Sequence, residues 1–235
     1  MRVLVLVAGD PVSSVATRRG RYDRLIREAT GDAWTGRWAA HDIRTLAPLP
    51  GPRDAEAFII TGSSASVTEH TPWMSRAEDL VRGIAFARVP LLGICFGHQM
   101  VAEALGGEVR RNPLGREIGT VRLERVADDP LFRGLPRVLD VNATHVDAVA
   151  RLPPGAEVLA TTALDRAAAF RVGSTIRAVQ FHPEFDADVM RGYLVARSDV
   201  VRAEGGDPEA LLGRVHGGTR GRDMLGNFAR WAGGG

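Results

Sequence analysis

Four short, near-continuous apolar runs constrain this chain more than any other feature: residues 2–8, 57–61, 90–95 and 176–181. None alternates polar with apolar residues as a half-exposed strand would, and each is too short for a buried helix. They therefore read as central strands covered on both faces. Helical patterns separate the first three. Residues 20–29 place Tyr22, Leu25, Ile26 and Ala29 at helix spacing. Thr71-Pro72 opens a second helix, with Thr as N-cap and Pro at the first helical position, and Trp73, Ala77, Leu80, Val81 and Ile84 on one face. A third helix follows Cys95 through Met100, Val101, Ala104 and Leu105, and Gly106-Gly107 stops it. Alternation of this kind implies a parallel sheet with helices on both faces.

The texture changes after Gly107. Residues 117–126, 138–143, 157–161 and 167–172 read as short strands, broken by turn residues such as Asp128-Asp129-Pro130 and Pro153-Pro154-Gly155. They suggest an antiparallel extension of the sheet. From Asp186 the pattern is helical, with Gly-rich breaks near 205–207 and 217–221, and the last helix carries Met224, Leu225, Phe228 and Trp231. The expected fold class is α/β: three layers, a mostly parallel central sheet, helices on both faces and a small antiparallel extension. One domain spanning 1–235 is the simplest organisation, with a core over about 2–185 and a helical segment over 186–235.

All 30 basic residues are arginines, since the sequence contains no lysine. That excludes a Schiff-base lysine, a Ser–Lys dyad and a lysine-bearing phosphate loop. The formal charge is only +2 and the arginines form no stripe, so no nucleic-acid partner is expected. No apolar run approaches the roughly 20 residues that a membrane-spanning helix needs. The first apolar stretch meets Gly9-Asp10-Pro11 at once, as after a buried strand rather than a signal peptide. A cytoplasmic protein is expected. The histidines show no metal-ligand spacing and cysteine occurs once, so neither a metal nor any other cofactor is expected.

That cysteine is the chemical question. Gly93-Ile94-Cys95-Phe96-Gly97 sets a nucleophilic residue between small ones at a strand-to-helix turn. A tight turn there lifts the side chain off the sheet, and the following helix N-terminus favours its thiolate. Alone, the same cysteine fits a small packing residue equally well. A second pattern is Gln180-Phe181-His182-Pro183-Glu184. Proline disfavours the helical region for His182, so an extended chain is expected, with His182 and Glu184 projecting to one side. Glu184 could then orient the imidazole while its other nitrogen faces Cys95, giving nucleophile, base and orienter.

Together, residues 92–99 and 180–184 resemble the class I, triad-type glutamine amidotransferase family, in its stand-alone GMP-synthase-like branch. Weaker matches lie in the same order: Ile60-Thr61-Gly62-Ser63, Gly106-Gly107-Glu108-Val109, Asn112-Pro113-Leu114-Gly115 and Thr144-His145-Val146-Asp147. The resemblance implies a flavodoxin-like sheet and hydrolysis of the glutamine γ-amide through a γ-glutamyl thioester on Cys95, with His182 as base and Glu184 as its partner. It assigns the oxyanion hole to backbone N–H groups at Gly62 and Phe96, and places Gln99 and His145 beside the substrate's amino-acid end. His98 becomes structural support.

The chain departs from the pattern at Arg116, where many relatives of that branch carry Trp. It also has no ATP-binding motif, so ammonia would pass to a separate acceptor or synthetase. Three functions compete: a glutaminase coupled to such a partner, a free-standing γ-glutamyl peptidase, and a non-catalytic binding protein. The helices after Asp186 could cover the sheet, contact a synthetase or form a homodimer face.

Overall fold

The computed structural model describes residues 2–234. The first half comprises β1 (Arg2–Val7), α1 (Ser13–Arg19), α2 (Tyr22–Thr30), β2 (Arg37–Asp42), β3 (Ala57–Ile60), α3 (Pro72–Ala87), β4 (Leu91–Ile94) and α4 (Phe96–Ala104). Seven strands follow: β5 (Glu108–Arg111), β6 (Glu117–Arg125), β7 (Val138–His145), β8 (Asp147–Arg151), β9 (Ala156–Thr161), β10 (Ala169–Val172) and β11 (Ile176–Val179). The chain closes with α5 (Ala187–Ala196), α6 (Ser198–Ala203), α7 (Pro208–Arg214) and α8 (Gly221–Ala232).

Nine strands form one sheet in the order β2-β1-β3-β4-β11-β10-β9-β6-β7. The pairs from β2 to β11 are parallel and those from β11 to β7 antiparallel. β5 and β8 form a separate antiparallel ribbon. All four apolar runs are interior strands, as expected. Their residues alternate between two cores. Val3, Val5, Val7, Ile59, Leu92, Ile94 and Val179 face α2 and α8. Leu4, Leu6, Phe58, Ile60, Leu91 and Ala178 face α3 and α4. A third apolar cluster joins α1 and α2 to α5, α6 and α7 through residues such as Val15, Leu25, Met190, Leu194 and Val201.

The second helix predicted from the sequence, α3, buries Met74, Ala77, Leu80, Val81 and Ile84, so Met74 rather than Trp73 leads its apolar face. Trp73 stays partly buried and stacks on Phe96, 5.6 Å between ring centres. Thr71 holds the N-cap position, yet its side chain makes no capping bond. Of the roles open to the C-terminal helices, α8 covers the sheet: Met224, Leu225 and Phe228 enter the first core. Beside it, Arg177 forms a buried ion pair with Asp129 at 2.9 Å and lies over the Trp231 ring at 4.5 Å.

Candidate active site

Parallel pairing sets the site. Ile94 at the end of β4 lies opposite Val179 at the end of β11. The next residue on one side is Cys95, and His182 follows three residues after Val179 on the other. Both therefore emerge at the carboxyl edge of adjacent strands, where open α/β sheets bind ligands. Cys95 donates its backbone N–H to the Val179 carbonyl at 2.8 Å.

The turn at Cys95 is tight. Its backbone has φ 53° and ψ −102°, a conformation that side-chain-bearing residues rarely adopt. The flanking glycines permit it. A Cβ on Gly93 would lie 2.4 Å from the Gly97 carbonyl oxygen, and one on Gly97 would lie 2.5 Å from the Ile60 carbonyl oxygen. Both obstacles are backbone and cannot swing aside. Phe96 is the first residue of α4, so its N–H has no acceptor within that helix.

His182 is held from several sides. Its N–H donates to the Asn142 carbonyl at 2.8 Å, and its Nδ1 lies 2.8 Å from Glu184 Oε1. The ring stacks on Phe185, with centres 4.0 Å apart, and more loosely on Tyr22. The segment is not extended as expected. Phe185 N–H donates to the His182 carbonyl, closing a turn through Pro183 and Glu184. Proline is well suited to the second position of such a turn, and the turn curls the Glu184 carboxylate back to the imidazole. The pair forms, but by a turn rather than by strand alternation.

Burial opposes charging of both groups, and their mutual attraction prevails. Burial disfavours the Cys95 thiolate, but the adjacent His182 holds the thiol below its usual range. Burial likewise disfavours an imidazolium at His182, but the carboxylate of Glu184 and the Cys95 thiolate raise its pKa to about 10. Both shifts run toward a thiolate–imidazolium pair. With Nδ1 donating to Glu184, Nε2 is the nitrogen left for Cys95.

Gly62 lies against this pair. A Cβ there would sit 2.8 Å from His182 Cε1, so only glycine lets the loop after β3 approach. Gln99 and His145 are both buried beside Cys95. Gln99 donates to the Asp147 carbonyl and to Gln180 Oε1, each at 3.1 Å. His145 is bonded at both nitrogens, to the Asp147 carbonyl at 2.9 Å and to Glu117 Oε2 at 3.0 Å. Burial lowers its proton affinity, but Glu117 more than compensates and raises it. His98 is fully buried 2.8 Å from the Ala167 carbonyl, and burial drives its pKa down to about 3, so it stays neutral.

Two cavities meet at Cys95. The smaller, about 150 Å³, is lined by Gln99, His145, Asp147, Ser66 and Arg116. The larger, about 330 Å³, is lined by His182, Tyr22, Tyr193, Asp10 and Arg44. Ser63, Ser64, Thr144 and Arg197 line both. Arg116 bonds Glu204 with two nitrogens at 2.8 and 3.1 Å, bridging the smaller cavity to the end of α6. Sequence reasoning did not single out Arg197 or Tyr193. Both lie in α5 or its cap, outside any motif, and Arg197 is one of 30 arginines.

A thiol raised on a strand-end turn, paired with a buried imidazole and carboxylate and opening onto two cavities, can carry out acyl transfer through a thioester. The class this outlines is an α/β protein with a site suited to acyl transfer at the carboxyl edge of its sheet. The glutamine amidotransferase class-I family matches residues 40–198, and the chain belongs to that family. The glutamine-hydrolyzing GMP synthase subunit of Saccharolobus solfataricus is 34% identical over 70% of this chain and 85% of its own length. The longer glutamine-hydrolyzing GMP synthase of Thermomicrobium roseum is 36% identical over 77% of this chain, which spans 31% of that protein. Gamma-glutamyl peptidase 4 of Arabidopsis thaliana is 31% identical over 57% of this chain and 56% of its own. A glutamine amidotransferase from Thermotoga maritima shares the fold at TM-score 0.70 and 24% identity, over 99% of this chain and 96% of that one.

Proposed function

We propose that this protein hydrolyses the γ-amide of glutamine through a γ-glutamyl thioester on Cys95. The observation that carries this is the buried Cys95–His182–Glu184 cluster at the junction of the two cavities. The Cys95 thiolate attacks the γ-carbonyl carbon, and the carbonyl electrons move onto oxygen. Backbone N–H groups at Gly62 and Phe96 would hold that oxyanion. The C–N bond then breaks as His182 delivers its Nε2 proton to the departing nitrogen, which leaves as ammonia. Water attacks the thioester, His182 takes up its proton, and glutamate departs as the thiolate is restored. Gln99 and His145, bonded within the wall of the smaller cavity, would shape the glutamyl side rather than move protons.

The proposal extends to a separate synthetase partner that receives the ammonia, in keeping with the relatives that are single subunits of GMP synthase. It treats residues 2–234 as one unit, working in the cytoplasm, where the thiol stays reduced. A second reading, a γ-glutamyl peptidase, draws on the larger cavity. The leaving group must depart on the His182 side, and about 330 Å³ there is roomy for ammonia alone, which is close to the roughly 30 Å³ of a water molecule.

Glutamate release from glutamine and from a panel of γ-glutamyl peptides tests both, with Cys95→Ala as control. Release from glutamine that vanishes in Cys95→Ala supports the glutaminase. Release from the peptides alone moves the assignment to the peptidase. Release that persists in Cys95→Ala refutes the thioester route.

A further inference from the structure

Of the arginines around Cys95, one is uncommitted. Arg116 is bonded to Glu204, and Arg44 to Asp42 and Asp10. Arg197, at the junction of α5 and α6, has no carboxylate partner among the described residues, and its Nε is buried without a hydrogen-bond acceptor. A guanidinium carries five donors and cannot shed its proton to escape burial. An unanswered buried donor is costly, so this one is built to be completed by something absent from the chain itself.

Its position says what. Arg197 lines both cavities together with Cys95. In the smaller one it shares the walls with Asp147, which makes no ion pair among the described residues and whose carboxylate accepts from Ser66 Oγ at 2.6 Å. A cavity of about 150 Å³ that presents one free guanidinium and one unpaired carboxylate matches a small zwitterion. We infer that Arg197 is the anchor for the α-carboxylate of the γ-glutamyl group. This rests on the proposed γ-amide chemistry and adds a residue from the C-terminal helices to substrate selection. Arginine suits the role because its planar fork meets a carboxylate with two parallel bonds. Anchoring that end, opposite the γ-carbonyl, also fixes the reach of the chain toward Sγ.

The test is calorimetric binding to the inert Cys95→Ala protein, with Arg197 intact, Arg197→Gln or Arg197→Lys. The probes are L-glutamine, its α-carboxamide, γ-glutamylglycine and γ-glutamylmethylamide. Loss of a charge-assisted bond is expected to weaken glutamine binding about 10- to 100-fold in Arg197→Gln. Arg197→Lys recovers part of that loss, and Arg197→Gln leaves the affinity of the α-carboxamide unchanged. Both γ-glutamyl compounds weaken alike, since both keep the α-carboxylate. An equal affinity for glutamine with and without Arg197 overturns the inference, as does absence of glutamine binding to the Arg197-bearing protein. A loss confined to γ-glutamylglycine also overturns it, placing Arg197 on the leaving group instead. Glutamate release by the wild-type protein is scored separately. Binding through Arg197 with no turnover by the isolated chain keeps the anchor and moves the hydrolysis reading to an assay with a synthetase partner present, whereas turnover with no effect of Arg197→Gln on binding overturns the anchor and keeps the hydrolysis reading.

Discussion

The backbone at Cys95 stores strain, and a pair of substitutions can read it. Cys95→Ala and Cys95→Gly both remove the thiol and its coupling to His182, so their difference isolates the Cβ and the backbone. At an ordinary buried position, exchanging Ala for Gly costs about 0.5–1 kcal/mol in chain entropy and about 0.8 kcal/mol for the lost methyl group. Together that is about 1.5 kcal/mol against Gly. At φ 53° and ψ −102° the Cβ itself is the liability, and a residue held in such a region costs about 1–3 kcal/mol. Taking about 2 kcal/mol, Cys95→Gly should equal or exceed Cys95→Ala in stability, by about 0.5 kcal/mol. Urea unfolding of the two proteins gives the number. If Cys95→Gly is the weaker by the full ~1.5 kcal/mol, a drop of about 3–6 °C in Tm for a chain of this size, the elbow holds no strain and its geometry has been misjudged.

Other outcomes follow from the same geometry. Iodoacetamide should alkylate Cys95 with an inflection below the ordinary thiol range, because His182 favours the thiolate. In His182→Ala the inflection should move upward, since burial then loses its strongest opponent and only the weaker pull of His145 remains; an unmoved inflection would contradict the pairing. Asp129→Ala leaves Arg177 buried without its carboxylate, and a loss of about 3–5 kcal/mol in unfolding free energy is expected. A loss under about 1 kcal/mol would show that water already reaches the pair. Gly93→Ala should cost at least about 1–3 kcal/mol in stability and most of the Cys95 reactivity, because its Cβ meets backbone at 2.4 Å.

The interior of this protein was far more legible than its margins. Central strands such as β1 and β3 are apolar on both faces, so their runs stand out without periodicity. β2 lies at the sheet edge with Arg37, His41 and Asp42 in it, and every residue is at least partly exposed. It holds its place by pairing with β1, a long-range fact invisible in its own residues. The β5–β8 ribbon escaped for the same reason: Arg110 and Arg111 leave β5 largely exposed, with only Val109 buried. α1 buries only Val15 and so leaves no helical stripe to detect. At the site, Cys95, His182 and Glu184 were visible because each sits in a short motif with a physical rationale. The turn that joins His182 to Glu184 was not, since Pro183 restrains its predecessor toward extension but says nothing of the bond from Phe185 that closes the turn. Arg197 gave no signal at all. Its meaning comes from what fails to pair with it once the chain is folded.

The central claim is that Cys95 is the residue that takes the γ-glutamyl group. The most direct measurement uses an electrophilic glutamine analogue that carries a diazoketone in place of the γ-amide, followed by peptide mass mapping. This does not depend on turnover or on a partner protein. The label should lie on Cys95, form at neutral pH, and be blocked by excess glutamine. An unlabelled Cys95, in protein whose thiol titrates as fully reduced, would contradict the account.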